Sequence, residues 1–136
     1  MERCGFTNSQ TSLIEAFNHF KDGDNSAAIH SAHKALESTV DYLLDMHKVS
    51  VTKDKMPVKI KALVDHVAFP SEYESSLTSL VNVLQTTGII RNRNGGHGYS
   101  REVVVEDCFV QFAIDSTASA ILFMVRLLDE GRIHSN

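Results

Sequence analysis

Tryptophan is absent from this chain, and only two prolines and two cysteines occur in 136 residues. With so few prolines, long stretches run without a turn residue, which disfavours a sandwich of short strands and favours helices. Cys4 and Cys108 stand far apart and in no Cys-x-x-Cys pair, so neither a disulfide framework nor a cysteine metal site is indicated. They read as two reduced thiols. Basic residues are outnumbered, 13 Lys and Arg against 17 Asp and Glu, and the net charge of −4 argues against bulk electrostatic capture of nucleic acid. Residues 1–6 lack the apolar core of a secretory leader. The longest apolar run near the C-terminus, Ala120 to Val125, is too short to span a bilayer. These absences lead to an expectation of a cytoplasmic protein that makes no membrane contact.

What is present is an ordinary globular composition, 43% hydrophobic and 22% charged, at the size of one domain. No repeat, low-complexity tract or linker divides residues 1–136. A first helix is expected from about Ser9 to Lys21, capped by Asn8 or Ser9, with Leu13, Ala16, Phe17 and Phe20 on one face and Asp22-Gly23-Asp24 as its stop. The second, from about Ser26 to Lys48, carries the clearest stripe: Ile29, Ala32, Leu36, Val40, Leu43 and Leu44, with Asp24 or Asn25 as cap. Pro57 suits the first turn of a short third helix bearing Ile60, Leu63, Val64 and Val67. After Pro70, Ser71 and Glu74 form a capping-box pattern for a fourth helix with Leu77, Leu80, Val81 and Leu84 inward. The last helix, about Val103 to Glu130, has one narrow polar stripe: Asp107, Gln111, Asp115, Ser119, Arg126 and Asp129. So little wet surface places it centrally or beneath a partner chain. The fold class is all-α: an antiparallel bundle of four main helices and one short one.

The chemistry concentrates in Arg91-Asn92-Arg93-Asn94-Gly95-Gly96-His97-Gly98. Arg91 follows Leu84 by seven residues, nearly in line with the apolar face if the fourth helix persists that far. The glycines let a polyanion approach the main chain, arginine grips phosphate with two prongs, and histidine titrates near neutrality. Arg93, Asn94, Gly95, Gly96 and Gly98 are therefore candidate substrate contacts. Tyr99 reads either as one more or as an exposed turn residue. The plain alternative for the whole stretch is a Gly-rich turn between helices.

An arginine, a polar residue and then a histidine at this spacing resemble the signature of the HEPN superfamily, small helical domains that include many RNases. Arg91, Asn92 and His97 match it with five intervening residues. The fuller order, with Arg93, Gly95 and Gly98, is similar to the abortive-infection C-terminal family within that group. Ala35-Leu36-Glu37-Ser38 adds to the likeness, which covers roughly Asn25 to Leu128. The chain departs from the pattern in a shorter Gly95–His97 gap and in Asp41, where a lysine is commoner. The resemblance implies a HEPN-like fold and a metal-independent endoribonuclease of phage-defence or toxin type that needs no cofactor. It implies His97 as general base on a ribose 2′-OH, Arg91 as stabiliser of transition-state charge and Asn92 as an orienting group. The products implied are a 2′,3′-cyclic phosphate and a 5′-hydroxyl. The partners implied are an RNA substrate, a second copy of the chain, and an antitoxin or defence-system protein. Two other readings stand beside it: a catalytically inactive HEPN-like module that binds a protein, an RNA or a nucleotide, and a metal-binding bundle.

The metal reading rests on His30, His33 and Glu37 at helical spacing, for which no second helix offers matching ligands, so no metal residues are assigned. Glu37 is instead a candidate second partner of the Arg91 loop, and Asp41 is expected to be solvated. Lys48, Lys53, Lys55, Lys59 and Lys61 read as a solvated loop and helix face. Phe109, Phe112 and Phe123 read as core or dimer packing rather than a base-stacking platform.

Overall fold

The computed structural model describes residues 4–67, 69–94 and 101–129, with side chains for 6–67, 69–85 and 106–127. Five α-helices follow in order: α1 (Cys4–Lys21), α2 (Asn25–Met46), α3 (Met56–His66), α4 (Glu74–Asn94) and α5 (Arg101–Asp129). A single 3₁₀ turn, Ser71–Tyr73, leads into α4, and no strand occurs among the described residues.

α2 touches each of the other four helices and is the spine of the bundle. Its expected stripe is the buried one: Ala32, Leu36, Val40 and Leu43 are fully enclosed, and Ile29 and Leu44 nearly so. Asp24 is the N-cap, its carboxylate accepting from the Ala27 amide at 3.1 Å. The α1–α2 turn closes as a Schellman motif: Gly23, at φ +85°, donates to Phe20, and Asp24 donates to His19. The left-handed φ explains the glycine.

α1 differs from expectation at both its start and its face. It begins at Cys4, so Asn8 and Ser9 lie inside the helix and cap nothing. Its buried side is Phe6, Ser9, Ser12 and Ala16, while Phe17 is on the exposed side and Leu13 and Phe20 are half-buried. Small residues face small residues here: Ala28, Ala32 and Ala35 of α2 are also fully buried. The Thr39 hydroxyl, buried in α2, bonds Ser9 Oγ at 2.7 Å, so the polar atoms of this seam satisfy one another.

Pro57 sits in the first turn of α3 as expected. The Ser71–Glu74 pattern does not act as a capping box. Phe69 is buried at 2% exposure, and Pro70 then accepts from the Tyr73 amide, winding Ser71–Tyr73 as a 3₁₀ turn before α4 begins at Glu74. In α4, Leu77, Leu80, Val81 and Leu84 all face the core.

α5 packs Val110, Ala113, Ile114, Thr117, Ile121 and Met124 inward. Its opposite side is not simply polar. Asp107, Asp115, Ser119 and Arg126 are exposed, and so are Phe112 (54%) and Leu122 (49%). Phe112 is therefore no core residue, although its ring stacks on Phe109. Phe123 packs edge-on to Phe69 and Tyr73. The stretch Glu106–Leu127 is long and apolar enough by length and composition to cross a membrane, although its apolar residues are interrupted by polar ones. A third of it is buried inside the bundle.

Candidate functional site

α4 continues as one helix to Asn94, the condition that gives the position of Arg91 its meaning. On the backbone, Arg91 stands one heptad beyond Leu84, which is 2% exposed and itself one heptad beyond the buried Leu77. Arg91, Asn92, Arg93 and Asn94 make up the last turn of α4. Cations are favoured there by the carbonyl end of the helix. α5 begins at Arg101, so the amide end of a second helix borders the same short connection. A helix N-terminus beside two arginines attracts an anion. The side chains of 91–94 lie outside the described residues, as do Gly95, Gly96, His97, Gly98 and Tyr99 altogether.

A polar network ties the first turn of α2 to the start of α5. Asn25, only 6% exposed, donates from Nδ2 to Asp107 Oδ1 at 2.7 Å and to Glu106 Oε2 at 3.1 Å. Its Oδ1 is buried with no hydrogen-bond partner among the described residues. The sequence offered Asn25 only as a helix cap. With Asp24 in that role, its side chain is free to reach across the bundle.

A second polar cluster lies on the other side of α2. Lys59, 4% exposed, meets Glu37 and Asp41 of α2 at 2.9 Å each and Asp54 of the α2–α3 loop at 2.5 Å. Burial pushes this ammonium down, but its hydrogen bonds to Asp54, Asp41 and Glu37 outweigh that and hold it well above the ordinary lysine value. Two expectations are corrected. Lys59 is not part of a solvated face, because it is buried and three carboxylates satisfy its head. Asp41, about half exposed, is not merely solvated but ion-paired. Glu37 is engaged by Lys59, and it stands about 18 Å along the α2 axis from Asn25 at the usual rise per residue.

His30 is exposed and His33 half-buried. Among the described residues no three His, Cys, Asp or Glu side chains are grouped to hold a metal ion. Cys108 is an exposed free thiol.

In chain order, then, an arginine-bearing helix end is followed by a Gly-rich stretch that contains a histidine and by the amide end of α5. The family model for the HEPN-like domain Abi_C matches residues 7–128, reaching back through α1 beyond the span suggested by the motifs. No curated protein and no solved structure gives a match. Across nearly all its length, then, the chain belongs to the Abi_C family of HEPN-like domains.

Proposed function

We propose that this chain is a metal-independent endoribonuclease of the phage-defence or toxin type. The observation that carries the reading is the unbroken run of α4 to Asn94. It sets Arg91 in line with the apolar seam of Leu77 and Leu84, next to the connection bearing His97, in a chain that belongs to Abi_C.

In this reading His97 takes the proton from a ribose 2′-OH, whose oxygen attacks the adjacent phosphorus. The bond to the 5′ oxygen breaks, and that oxygen leaves with a proton returned by the imidazole or by its copy on a second subunit. Arg91 stabilises the charge that grows on the phosphorane-like transition state, and Asn92 orients the phosphate. Arg93, Asn94, the glycines and Tyr99 contact the substrate. The products are a 2′,3′-cyclic phosphate and a 5′-hydroxyl. A second copy of the chain seated on the α5 face would cover the exposed Phe112 and Leu122. The setting is cytoplasmic, with an antitoxin or defence-system partner.

The test is incubation of the purified protein with single-stranded RNA in EDTA, alongside Arg91→Ala and His97→Ala. The expected outcome is cleavage by the wild type and a loss of at least a hundredfold in each variant. A requirement for added metal overturns the metal-independent mechanism. A folded wild type that binds RNA or a protein partner without cleaving is the inactive module instead.

A further inference from the structure

Seven side chains between Glu106 and Leu127 are exposed. Six of them, Cys108, Phe112, Asp115, Ser119, Leu122 and Arg126, follow one another along α5 at alternating steps of four and three residues. That spacing holds them in one stripe, the kind of seam along which two helices supercoil. The stripe is symmetric about the level of Thr117. Apolar Phe112 and Leu122, 54% and 49% exposed, stand five residues to either side, and polar Asp115 and Ser119 stand two. A twofold axis requires this, because each position must then meet its mirror position on the other chain.

We infer that α5 pairs antiparallel with α5 of a second copy, in the register that sets Phe112 opposite the partner's Leu122 and Asp115 opposite the partner's Ser119. The two Phe112–Leu122 contacts cover the large apolar side chains of this face. The groove bounded by Ser119, Ala120 and Phe123 opens beside them, where the partner's Phe112 arrives. At the centre the Asp115 carboxylate accepts from Gln111 at 3.0 Å and has lone pairs left for the Ser119 hydroxyl of the partner subunit. A polar pair in such a seam fixes the register, since a slip would set it against apolar groups. At each edge Arg126 meets the partner's Cys108 and the exposed Asp107 beside it. Arg126 has no ion pair among the described residues of its own chain, so its charge is available. Charge also selects the direction. Parallel helices would set Asp115 against Asp115 and Arg126 against Arg126.

The second copy in the nuclease reading thereby gains a geometry, and one consequence rests on that reading. The starts of the two α5 helices lie about 48 Å apart at the usual helical rise. The proposed sites then stand at opposite ends of the pair, and each imidazole returns the proton it took.

Arg126→Cys tests the register through a thiol the chain already exposes, Cys108. In this pairing the introduced thiol lies opposite Cys108 of the partner subunit. Positions 108 and 126 of one chain, or position 108 of two chains, are about 27 Å apart, far beyond disulfide reach. The measurement, with Cys4→Ser throughout, is dimer formation under mild oxidation, with the linked peptides mapped, beside sedimentation velocity of the wild type. Arg126→Cys is expected to link through positions 108 and 126 at least about tenfold faster than the chain that keeps Arg126. Adding Cys108→Ser should abolish the link. A wild type that sediments as a monomer at every concentration would overturn the inference. So would an Arg126→Cys chain that dimerises without linking, or links between two copies of position 108. None of these readouts uses RNA. Linkage as expected in a chain that leaves RNA intact overturns the nuclease reading and keeps the pairing, and RNA cleavage without linkage does the reverse.

Discussion

The α1–α2–α3 side of the molecule and the α4–α5 hairpin differ in where their polar groups and open surface lie. On the first side, two buried polar groups are matched internally, Thr39 with Ser9 and Lys59 with three carboxylates drawn from α2 and the following loop, while Asn25 reaches across to α5 and keeps an Oδ1 without a partner among the described residues. Exposed apolar side chains occur on both sides, Ile14 and Phe17 on α1 among them, but in the hairpin they accompany an open groove. Phe112 and Leu122 are about half exposed, and an open groove of about 360 Å³ runs between Tyr73, Leu77 and Leu80 on one wall and Ser116, Ala120 and Phe123 on the other. The hairpin exposes Phe112 and Leu122 along α5 and carries the arginines of the proposed site at the end of α4. The proposed chemistry stands at the end of this hairpin.

Substitutions can break this contrast, and the largest effect is expected at the spine. Leu36 is fully enclosed among residues from several helices, so Leu36→Ala removes buried methyl groups and leaves a cavity that the neighbours fill only in part. Equilibrium urea unfolding should show a loss of about 3 kcal/mol. A loss below about 1 kcal/mol would mean that this side is as loosely packed as the hairpin.

Lys59→Met comes next. Methionine keeps a long apolar stem but leaves Glu37, Asp41 and Asp54 facing one another, and about 2 kcal/mol should be lost. That lies between an exposed pair and a fully buried one, because two of the three carboxylates are open to water. The pH dependence sharpens the assignment. The folded-state value of Lys59 is raised, so its contribution is fully present below the unfolded-state value of about 10.4. It declines as pH rises through the folded-state value. The stability gap between wild type and Lys59→Met should therefore be insensitive to lysine titration up to about pH 10 and narrow at higher pH. A gap that widened in alkali would refute the ion cage.

These two sites also show what a sequence can and cannot reveal. The α2 stripe was legible because large aliphatic residues recur every three and four positions, a pattern that only a buried helix face explains. The continuation of α4 to Arg91 was legible as a conditional, since one heptad relates Arg91 to Leu84. The buried face of α1 was not, because Ser9, Ser12 and Ala16 look like solvent-side residues. Only the close approach of Ala28, Ala32 and Ala35 turns them inward. Lys59 was hidden for another reason. Its partner Glu37 lies 22 residues away on another helix, and local charge counting sees only Asp54. Asn25 failed in the same way, with partners 81 and 82 residues distant. Periodicity reports what one helix does to itself, whereas contacts between helices belong to the packed bundle.

The smallest expected effect is the most telling for the hairpin. Phe112 and Leu122 are each about half exposed, so replacing both by serine removes little apolar area from the interior of the monomer. The change in unfolding free energy measured at low protein concentration should stay within about 0.5 kcal/mol. Exposed surface of this kind contributes to stability only when something covers it. If a second copy of the chain does so, the wild type should become more resistant to urea as its concentration rises, through mass action. The double serine variant should lose that dependence while keeping the dilute-limit stability. Sedimentation velocity over the same concentrations reads the association directly. A variant that loses several kcal/mol even when dilute would show that these side chains complete the core of the monomer, and the reading of this face as open surface would fail.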